Sequence, residues 1–236
     1  MATNKKKGKA TLKELQSLCA YDRRTKTYTS LEGQDYADAL ERIFALDNKN
    51  DRPFLKDEII MQPTLQEFDF EGKKEFIYTC ELKAKPLTIE NNKRKNERIE
   101  ALNFSQDSED VFTSHIGMAY IITCLVDGKE HIIKIGQTRK TFKERLGSYN
   151  CGVVYNWRTA STTNIKILQS LLASRSCGTF KLYLCDCSTD PYQLNWYGVD
   201  SSLYATPKSL AVEEIMLRRF IQQFGRKPLA NIQTDK

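Results

Sequence analysis

The feature that most constrains this chain is an Asp-Gly pair set between two apolar runs. Residues 119–126 read Ala-Tyr-Ile-Ile-Thr-Cys-Leu-Val, residues 131–136 read His-Ile-Ile-Lys-Ile-Gly, and Asp127-Gly128 stands between the two runs. Runs rich in β-branched and aromatic residues favour strands, and Asp-Gly is typical of the tight turn of a hairpin. The sequence therefore predicts an antiparallel hairpin near the middle of the chain.

The rest of the second half carries helix and strand patterns around this hairpin. Helices are predicted over residues 142–149 and 164–173, and a third strand over residues 180–185. A last helix is predicted over residues 209–224, ended by Gly225. Its predicted buried stripe consists of Leu210, Leu217, Phe220, Ile221 and Phe224. The predicted fold class is therefore α+β, a small antiparallel sheet of about three strands flanked by helices.

The first half has a weaker pattern. An acidic, polar stretch over residues 105–110 is interpreted as a linker, which divides the chain into residues 1–110 and residues 111–236. Before the linker we predict helices over 11–21 and 34–46, a strand over 76–80, and an exposed charged helix over 93–100. These elements predict a second α+β unit in the first half.

Composition excludes several classes of protein. No apolar run approaches the roughly 20 residues of a membrane-spanning helix. The lysine-rich start, residues 1–10, lacks the apolar stretch of a secretory signal, so we expect a cytoplasmic protein without a membrane partner. The seven cysteines are scattered, which favours reduced thiols over a disulfide framework. Cys185 and Cys187 are too closely spaced for a usual zinc pair and are interpreted as packing residues.

The net charge of +6 is unevenly spread along the 236 residues. Residues 1–110 hold 20 Lys and Arg against 21 Asp and Glu, a net charge of −1. Residues 111–236 hold 16 against 9, a net charge of +7. Because a phosphate backbone attracts positive charge, the second half is the part that is expected to dock a polyanion.

The hairpin strands carry polar groups that a buried sheet does not require. Tyr120 lies on the first strand, Lys134 and Gly136 lie on the second, and Thr138 follows the glycine by two positions. Taken singly, each has an ordinary interpretation: Tyr120 as a core tyrosine and Lys134 as a charge that protects a sheet edge. Their joint placement on one hairpin makes them candidates for a site.

Two later helices add further candidates. The helix after the hairpin presents Arg145 and, four residues on, Tyr149, which share one helix face. Glu213 and Glu214 interrupt the apolar last helix, and Asn231 follows that helix. A carboxylate beside a buried stripe is the least ordinary of these features, because burying an unpaired carboxylate is costly.

The order of these residues resembles the GIY-YIG nuclease superfamily over residues 117–231. Met118-Ala119-Tyr120 stands at the first motif, without its glycine, and Lys134-Ile135-Gly136 stands at the second, with lysine in place of tyrosine. The lysine, with Tyr149 four residues after the helix arginine, resembles a branch of type II restriction endonucleases in this superfamily. The residues that match the remaining family positions are Arg145, Glu213 and Asn231.

The resemblance implies hydrolysis of phosphodiesters with a divalent cation, Mg²⁺ or alternatively Mn²⁺, held by Glu213. Arg145 would hold the scissile phosphate with its planar fork, and Tyr149 would support the phosphate or the water. Tyr120 would position or deprotonate the attacking water. Since a free phenol has a pKa of about 10, we expect the Lys134 cation to lower the pKa of Tyr120. Supporting roles are expected for Gly136, Thr138 and Asn231.

Two questions stay open at the level of sequence. Both glutamates lie near the apolar stripe, so Glu213 is the preferred metal ligand and Glu214 the alternative. Thr163 either contacts DNA or caps the helix that begins at Asn164. The residues expected to contact DNA are Arg139, Lys140, Arg158, Ser161, Thr162, Thr163 and Asn164.

The function implied by the resemblance is a sequence-specific endonuclease for double-stranded DNA, of the type II restriction type, that leaves 5′-phosphate ends. One active centre per chain implies a homodimer on a palindromic site. Residues 1–110 are expected to form a recognition or clamp domain around the duplex. Two alternatives remain: a non-catalytic DNA-binding module of the same fold, and a repair or mobile-element nuclease that nicks DNA.

Overall fold

The predicted hairpin forms two strands of a five-stranded antiparallel sheet in the computed structural model. The structure describes residues 21–28, 53–85, 88–95, 98–150, 167, 170–171, 179–188, 195–200 and 207–232. The predicted helices over 11–21 and 34–46 lie outside the described residues, as does most of the helix predicted over 164–173.

The described elements are strands with helices between them and after the last strand. The strands are β1 (Tyr21–Asp22), β2 (Thr27–Tyr28), β3 (Ile77–Lys85), β4 (Thr88–Glu90), β5 (Lys93–Lys95), β6 (Arg98–Leu102), β7 (Met118–Val126), β8 (Lys129–Thr138), β9 (Thr179–Asp186), β10 (Asn195–Trp196) and β11 (Val199–Asp200). The helices are α1 (Lys56–Ile60), α2 (Ser108–Ser114), α3 (Phe142–Tyr149) and α4 (Ser209–Phe224), with a 3₁₀ turn at Glu71–Glu75.

The hairpin turn has the geometry that its sequence predicts. Asp127 and Gly128 both adopt positive φ, 50° and 78°, as a type I′ turn requires, and they join β7 to β8. The predicted strand over 180–185 is confirmed as β9, and the predicted helix over 142–149 is confirmed as α3. Local sequence therefore determined these elements.

The central sheet is larger than predicted. Its strand order is β6-β3-β9-β7-β8, so five strands stand where about three were expected, and β8 lies at one edge. The prediction was wrong because two strands of the first half, β3 and β6, pair with the sheet of the second half. The sheet thus crosses residue 110. Ser105 and Ser108, in the predicted linker, bind the backbone of β3 through their hydroxyl groups.

The charged helix predicted over 93–100 is also wrong. These residues form β5 and the start of β6, with Ile99 buried and Arg98 paired to Glu100 at 2.5 Å along the strand. Glu100 also lies 4.0 Å from Lys85 of the neighbouring strand. Charged residues are common on helices, but here strand pairing places them on an exposed strand face, where cross-strand ion pairs are favourable.

Helices and loops cover both faces of the sheet. On one face, Tyr120 and Ile122 of β7 pack with Phe142 and Leu146 of α3. On the other, Ile121 and Ile135 pack with Met216 and Phe220 of α4. No helix among the described residues is long and apolar enough to span a membrane.

The buried stripe of α4 agrees in part with the predicted one. Phe220 is buried, and Leu217 and Phe224 pack against the same core. Leu210 and Ile221 are 49% and 37% exposed, however, and Met216 is buried instead. The rotation of α4 matters for the site, because it sets which glutamate of the helix turns inward.

Candidate active site

The centre of the candidate site is the pairing of Tyr120 with Gly136 across the β7–β8 ladder. A Cβ atom at position 136 would overlap the ring and the hydroxyl group of Tyr120. The glycine is therefore needed so that the tyrosine ring can lie across the neighbouring strand. Tyr120 is fully buried, with its ring edge-on to Phe142 at a centroid distance of 5.0 Å.

Strand alternation places Lys134 on the same face as Tyr120, and a β-bulge begins directly after this pairing. The register of β8 shifts between Ile122 and Thr123 of β7, and Lys134 pairs with Ile122. Such bulges redirect side chains and recur next to active sites. Lys134 is only 8% exposed, and its amino group donates a hydrogen bond of 3.4 Å to the carbonyl of Ala230.

Burial changes the titration of Lys134. Loss of solvation and the nearby Arg145 both lower its pKa, Glu213 opposes them, and the pKa that results is about 8. An amine with this pKa can exist in both protonation states under mildly alkaline conditions. It is therefore suited to proton transfer as well as to charge stabilisation.

Helix α3 delivers Arg145 and Tyr149 to Tyr120. Its start is fixed by a capping box in which the hydroxyl group of Thr141 accepts from the backbone of Glu144. The Nε of Arg145 donates to the hydroxyl of Tyr120 at 3.2 Å, and the hydroxyl groups of Tyr120 and Tyr149 are 3.0 Å apart. The guanidinium lies 5.1 Å from the ring centroid of Tyr149, within cation–π range.

The two phenols are strongly buried, and this decides their protonation. Burial raises the pKa of Tyr120, and the opposing effects of Arg145 and Tyr149 do not reverse it. Burial also raises the pKa of Tyr149 well above its usual value. The expectation that Lys134 lowers the pKa of Tyr120 is therefore wrong, because desolvation outweighs the nearby positive charge.

Helix α4 distinguishes between the two glutamates. Its first residue, Ser209, donates to the carbonyl of Thr138 and so ties α4 to the end of β8. Glu214 points outward and pairs with Arg218 at 2.5 Å. Glu213 is half-buried, and burial raises its pKa while Lys134 and Arg145 lower it in part.

The carboxylate of Glu213 is left open within the described part of the chain. No hydrogen bond or ion pair to it occurs there, although Lys134 and Arg145 are close enough to affect its pKa. Across the described ranges, no cluster of three or more His, Cys, Asp or Glu side chains could hold a metal. A single open carboxylate nevertheless fits a Mg²⁺ ion, which commonly takes one or two protein carboxylates and fills its other positions with water and phosphate.

Asn231 binds the segment that follows α4 to strand β8. Its side-chain oxygen accepts from the backbone N–H of Ile135 at 3.0 Å, and its amide donates back to the carbonyl of Ile135 at 2.8 Å. The next residue along β8 is Gly136, so Asn231 supports the backbone on which Tyr120 rests. Ala230, whose carbonyl receives Lys134, is hydrogen bonded to Ile133 of the same strand.

The predicted DNA contacts are only partly described. Arg139 and Lys140 are exposed between β8 and α3, where the hydroxyl group of Thr138 accepts from the backbone of Lys140. Lys140 also lies 3.5 Å from Glu144. The remaining predicted contacts lie outside the described residues: Arg158, Ser161, Thr162, Thr163 and Asn164.

Sequence reasoning missed two groups that hold the site together. The carbonyl of Ala230 binds Lys134, and a backbone carbonyl leaves no signal in residue identity. The hydroxyl of Ser148 accepts from the guanidinium of Arg145 at 3.2 Å, and its position three residues after Arg145 is a signal that helix periodicity could have supplied.

Comparison with known proteins gives one solved structure of interest. It is described as "Restriction endonuclease HPY188I in complex with product DNA", and it is 27% identical to this chain with a TM-score of 0.47. The match covers 81% of this chain and 99% of the other. No protein-family model and no curated protein matches the sequence. At this TM-score the likeness does not assign a function, so the proposal below rests on the geometry of the site.

Proposed function

We propose that this protein is a metal-dependent endonuclease that hydrolyses phosphodiester bonds of double-stranded DNA. The observation that carries the proposal is the convergence of Tyr120, Tyr149 and Arg145 in one hydrogen-bonded cluster, with Lys134 and Glu213 within electrostatic range of it. These residues come from four separate elements, and stability alone does not require such a set at one place.

The two cations of the site favour an anionic substrate. In the described part of the chain, no carboxylate lies within 4 Å of Arg145 or of Lys134. Positive charge that is removed from water is unfavourable unless it is paired. A phosphodiester supplies the missing anion, and the planar guanidinium of Arg145 can bind two phosphate oxygens at once.

Glu213 is the proposed metal ligand, and Glu214 is not, because only Glu213 turns toward the cluster. Glu213 would hold a Mg²⁺ ion that would supply Lewis-acid stabilisation of the charge on the phosphate and on the leaving 3′ oxygen. The half-buried carboxylate carries the negative charge that holds such an ion, and its open coordination leaves room for water and substrate. Mn²⁺ has similar ligand preferences and is the proposed substitute.

The remaining groups orient the attacking water and accept its proton. Because burial keeps Tyr120 protonated, its hydroxyl group orients the attacking water instead of deprotonating it as an anion. Lys134, whose pKa is about 8, is the group proposed to accept the proton when it is neutral. Tyr149 fixes the orientation of the Tyr120 hydroxyl group through the bond between the two phenols.

The finer proposal is a type II restriction activity. Cleavage of both strands at a palindromic site by one centre per chain requires two subunits, so a homodimer is the proposed active form. Attack on the phosphorus with departure of the 3′ oxygen leaves 5′-phosphate and 3′-hydroxyl ends. Discrete fragments from bacteriophage DNA in Mg²⁺, with 5′ ends that a ligase can seal, are the expected result.

The test of the site uses the two neighbouring glutamates. Glu213→Gln should lower the single-turnover rate of plasmid DNA cleavage by about 10³-fold or more, since it removes the negative charge that is proposed to hold the metal ion. Glu214→Gln is the matched control and should cleave at the parental rate, because Glu214 pairs only with exposed Arg218. Equal cleavage by both variants and the parent protein would refute the ligand assignment.

A further inference from the structure

The first half of the chain carries a localised basic surface that its net charge of −1 conceals. Two short hairpins, β1–β2 and β4–β5, meet at their tips, where the side-chain amide of Asn92 donates to the carbonyl of Lys26. We call the turn residues 23–26 and 91–93 the hairpin tips. All of them are exposed.

The tip of the second hairpin is a tight turn built by two asparagines. Asn91 and Asn92 adopt positive φ of 50° and 59°, the pattern of a type I′ turn, which keeps the two strands in a narrow twisted ribbon. This overturns the interpretation of residues 93–100 as the face of an exposed helix. A two-stranded ribbon of this kind fits the major groove of B-form DNA.

The charges at the tips differ from those along the sheet. Along β3 and β6 the exposed cations are paired: Lys83 lies 3.0 Å from Glu81, and Lys85 lies 4.0 Å from Glu100. At the tips, the cations that form no ion pair with any part of the described chain are Arg23, Lys26 and Lys93. Cations left unpaired on a protruding turn are available for phosphates.

Asn91 adds a group that can read a base. Its exposed side chain makes no hydrogen bond within the described residues, and it is one of the two central residues of the turn. A carboxamide is the side chain that pairs bidentately with the major-groove edge of adenine. The tips therefore combine phosphate contacts with one candidate for direct recognition.

The strand that follows the second hairpin, β6, is held beside the candidate active site. Ile99, at the start of β6, exchanges two hydrogen bonds of 2.7 and 2.9 Å with the side chain of Asn150. Asn150 directly follows Tyr149 at the end of α3. Seven Cα–Cα steps join Ile99 to Asn92, which corresponds to at most about 23 Å of extended chain. The second hairpin is therefore a short chain segment away from the helix that carries Arg145.

We infer that the hairpin tips enter the major groove beside the cleaved phosphate, with Arg23, Lys26 and Lys93 on phosphates and Asn91 on a base edge. This inference rests on the proposed function for the identity of the polymer. In this arrangement the first half of the chain binds DNA through the hairpin tips in one groove. Its acidic residues repel DNA from the rest of its surface.

The test measures binding separately from cleavage. The variant Arg23→Gln/Lys26→Gln/Lys93→Gln is made in the Glu213→Gln background and titrated with a fluorescent 30-bp mixed-sequence duplex between 50 and 300 mM KCl. Loss of three phosphate contacts should raise Kd about tenfold at 100 mM KCl and reduce the slope of log K against log salt by about 2 to 3. The matched control is Lys56→Gln/Lys83→Gln/Lys85→Gln, which removes paired cations of the same half and should leave Kd and slope unchanged.

The binding results test the inference independently of the proposed function. A loss confined to the tip variant supports the inference, even if the parent protein fails to cut DNA and the proposed function falls. Parental binding by the tip variant, or an equal loss in the control variant, overturns it while leaving cleavage by the parent protein untouched. For the base contact, Asn91→Ala should lower cleavage at a mapped site about tenfold, and an unchanged rate and fragment pattern would overturn that contact.

Discussion

Two polar clusters lie along the same sheet, and their partners differ. In one cluster, Glu130 accepts from Lys181 at 2.6 Å, from Tyr183 at 2.5 Å and from Thr123 at 3.3 Å, so its carboxylate has three protein donors. In the other, Lys134 lies near Glu213 without an ion pair between them in the described part of the chain. Both clusters contain a lysine, a tyrosine and a glutamate.

The pKa shifts distinguish the structural cluster from the candidate site. Burial alone raises the pKa of Glu130, but the bonds from Lys181 and Tyr183 reverse the shift, so its pKa is lowered. In the other cluster burial prevails: it raises the pKa of Glu213 and lowers the pKa of Lys134 to about 8. Charges that form no ion pair with the described part of the chain indicate a place where a ligand completes the pairing.

The largest expected effect comes from the arginine of the candidate site. Arg145→Lys should slow single-turnover cleavage by about 10²- to 10³-fold, because lysine cannot reproduce the planar two-point contact with a phosphate. Lys181→Arg in the other cluster is the control and should leave the rate unchanged. A rate for Arg145→Lys within threefold of the parent rate would remove Arg145 from the site.

The next contrast compares a buried tyrosine with a partly buried one. Tyr120→Phe should lower the cleavage rate by about 10²-fold, since it removes a hydroxyl group that binds both Arg145 and Tyr149. Tyr183→Phe removes one of three donors to Glu130 and should reduce the free energy of unfolding by about 1 kcal/mol without altering the rate. Urea titration and cleavage assays on both variants measure the two effects; reversed effects would mean that the clusters have been assigned to the wrong roles.

Lys134 links chemistry to stability. Its pKa is about 8 in the folded protein against 10.5 for free lysine, so the folded state is penalised below pH 8 and the penalty fades between pH 8 and 10.5. The free energy of unfolding of Lys134→Met should therefore exceed that of the parent protein by about 1 to 3 kcal/mol at pH 7, and the difference should disappear near pH 10.5.

The same variant tests the proposed proton acceptor. Parental cleavage should rise with pH through about 8, as Lys134 becomes neutral, and this limb should be missing from the residual activity of Lys134→Met. Lys181→Met is the control and should keep the limb. An unchanged pH profile in Lys134→Met would show that the amine does not accept the proton.

The smallest expected effect concerns the carboxylate of the structural cluster. Because the pKa of Glu130 is lowered, its ionised form stabilises the fold above its ordinary pKa, and that contribution is lost as the pH falls through the folded value. Glu130→Gln should cost about 1 kcal/mol at pH 7, and the difference from the parent protein should shrink below pH 4. A pH-independent difference in urea titrations would contradict this origin.

Particular elements show what could be read from the sequence. The hairpin and the end of α4 followed from local signals: Asp127-Gly128 for the turn and Gly225 for the end of the helix. The helix over 142–149 was also predicted, and the structure adds the Thr141 cap at its start. The strand β6 could not be read, because it has one buried apolar residue, Ile99, among charges. Its partner β3 is distant in sequence, and only the pairing makes it a strand.

The candidate site divides in the same way. The sequence by itself determined which residue types are available and on which elements they stand, since a turn signal, a cap and a helical repeat act over a few neighbours. Tertiary structure alone decided that Glu213 faces Lys134 while Glu214 faces solvent, and that Tyr120 keeps its proton. Those outcomes depend on the rotation of α4 against the sheet and on the depth of burial, which are set by packing between elements far apart in the chain.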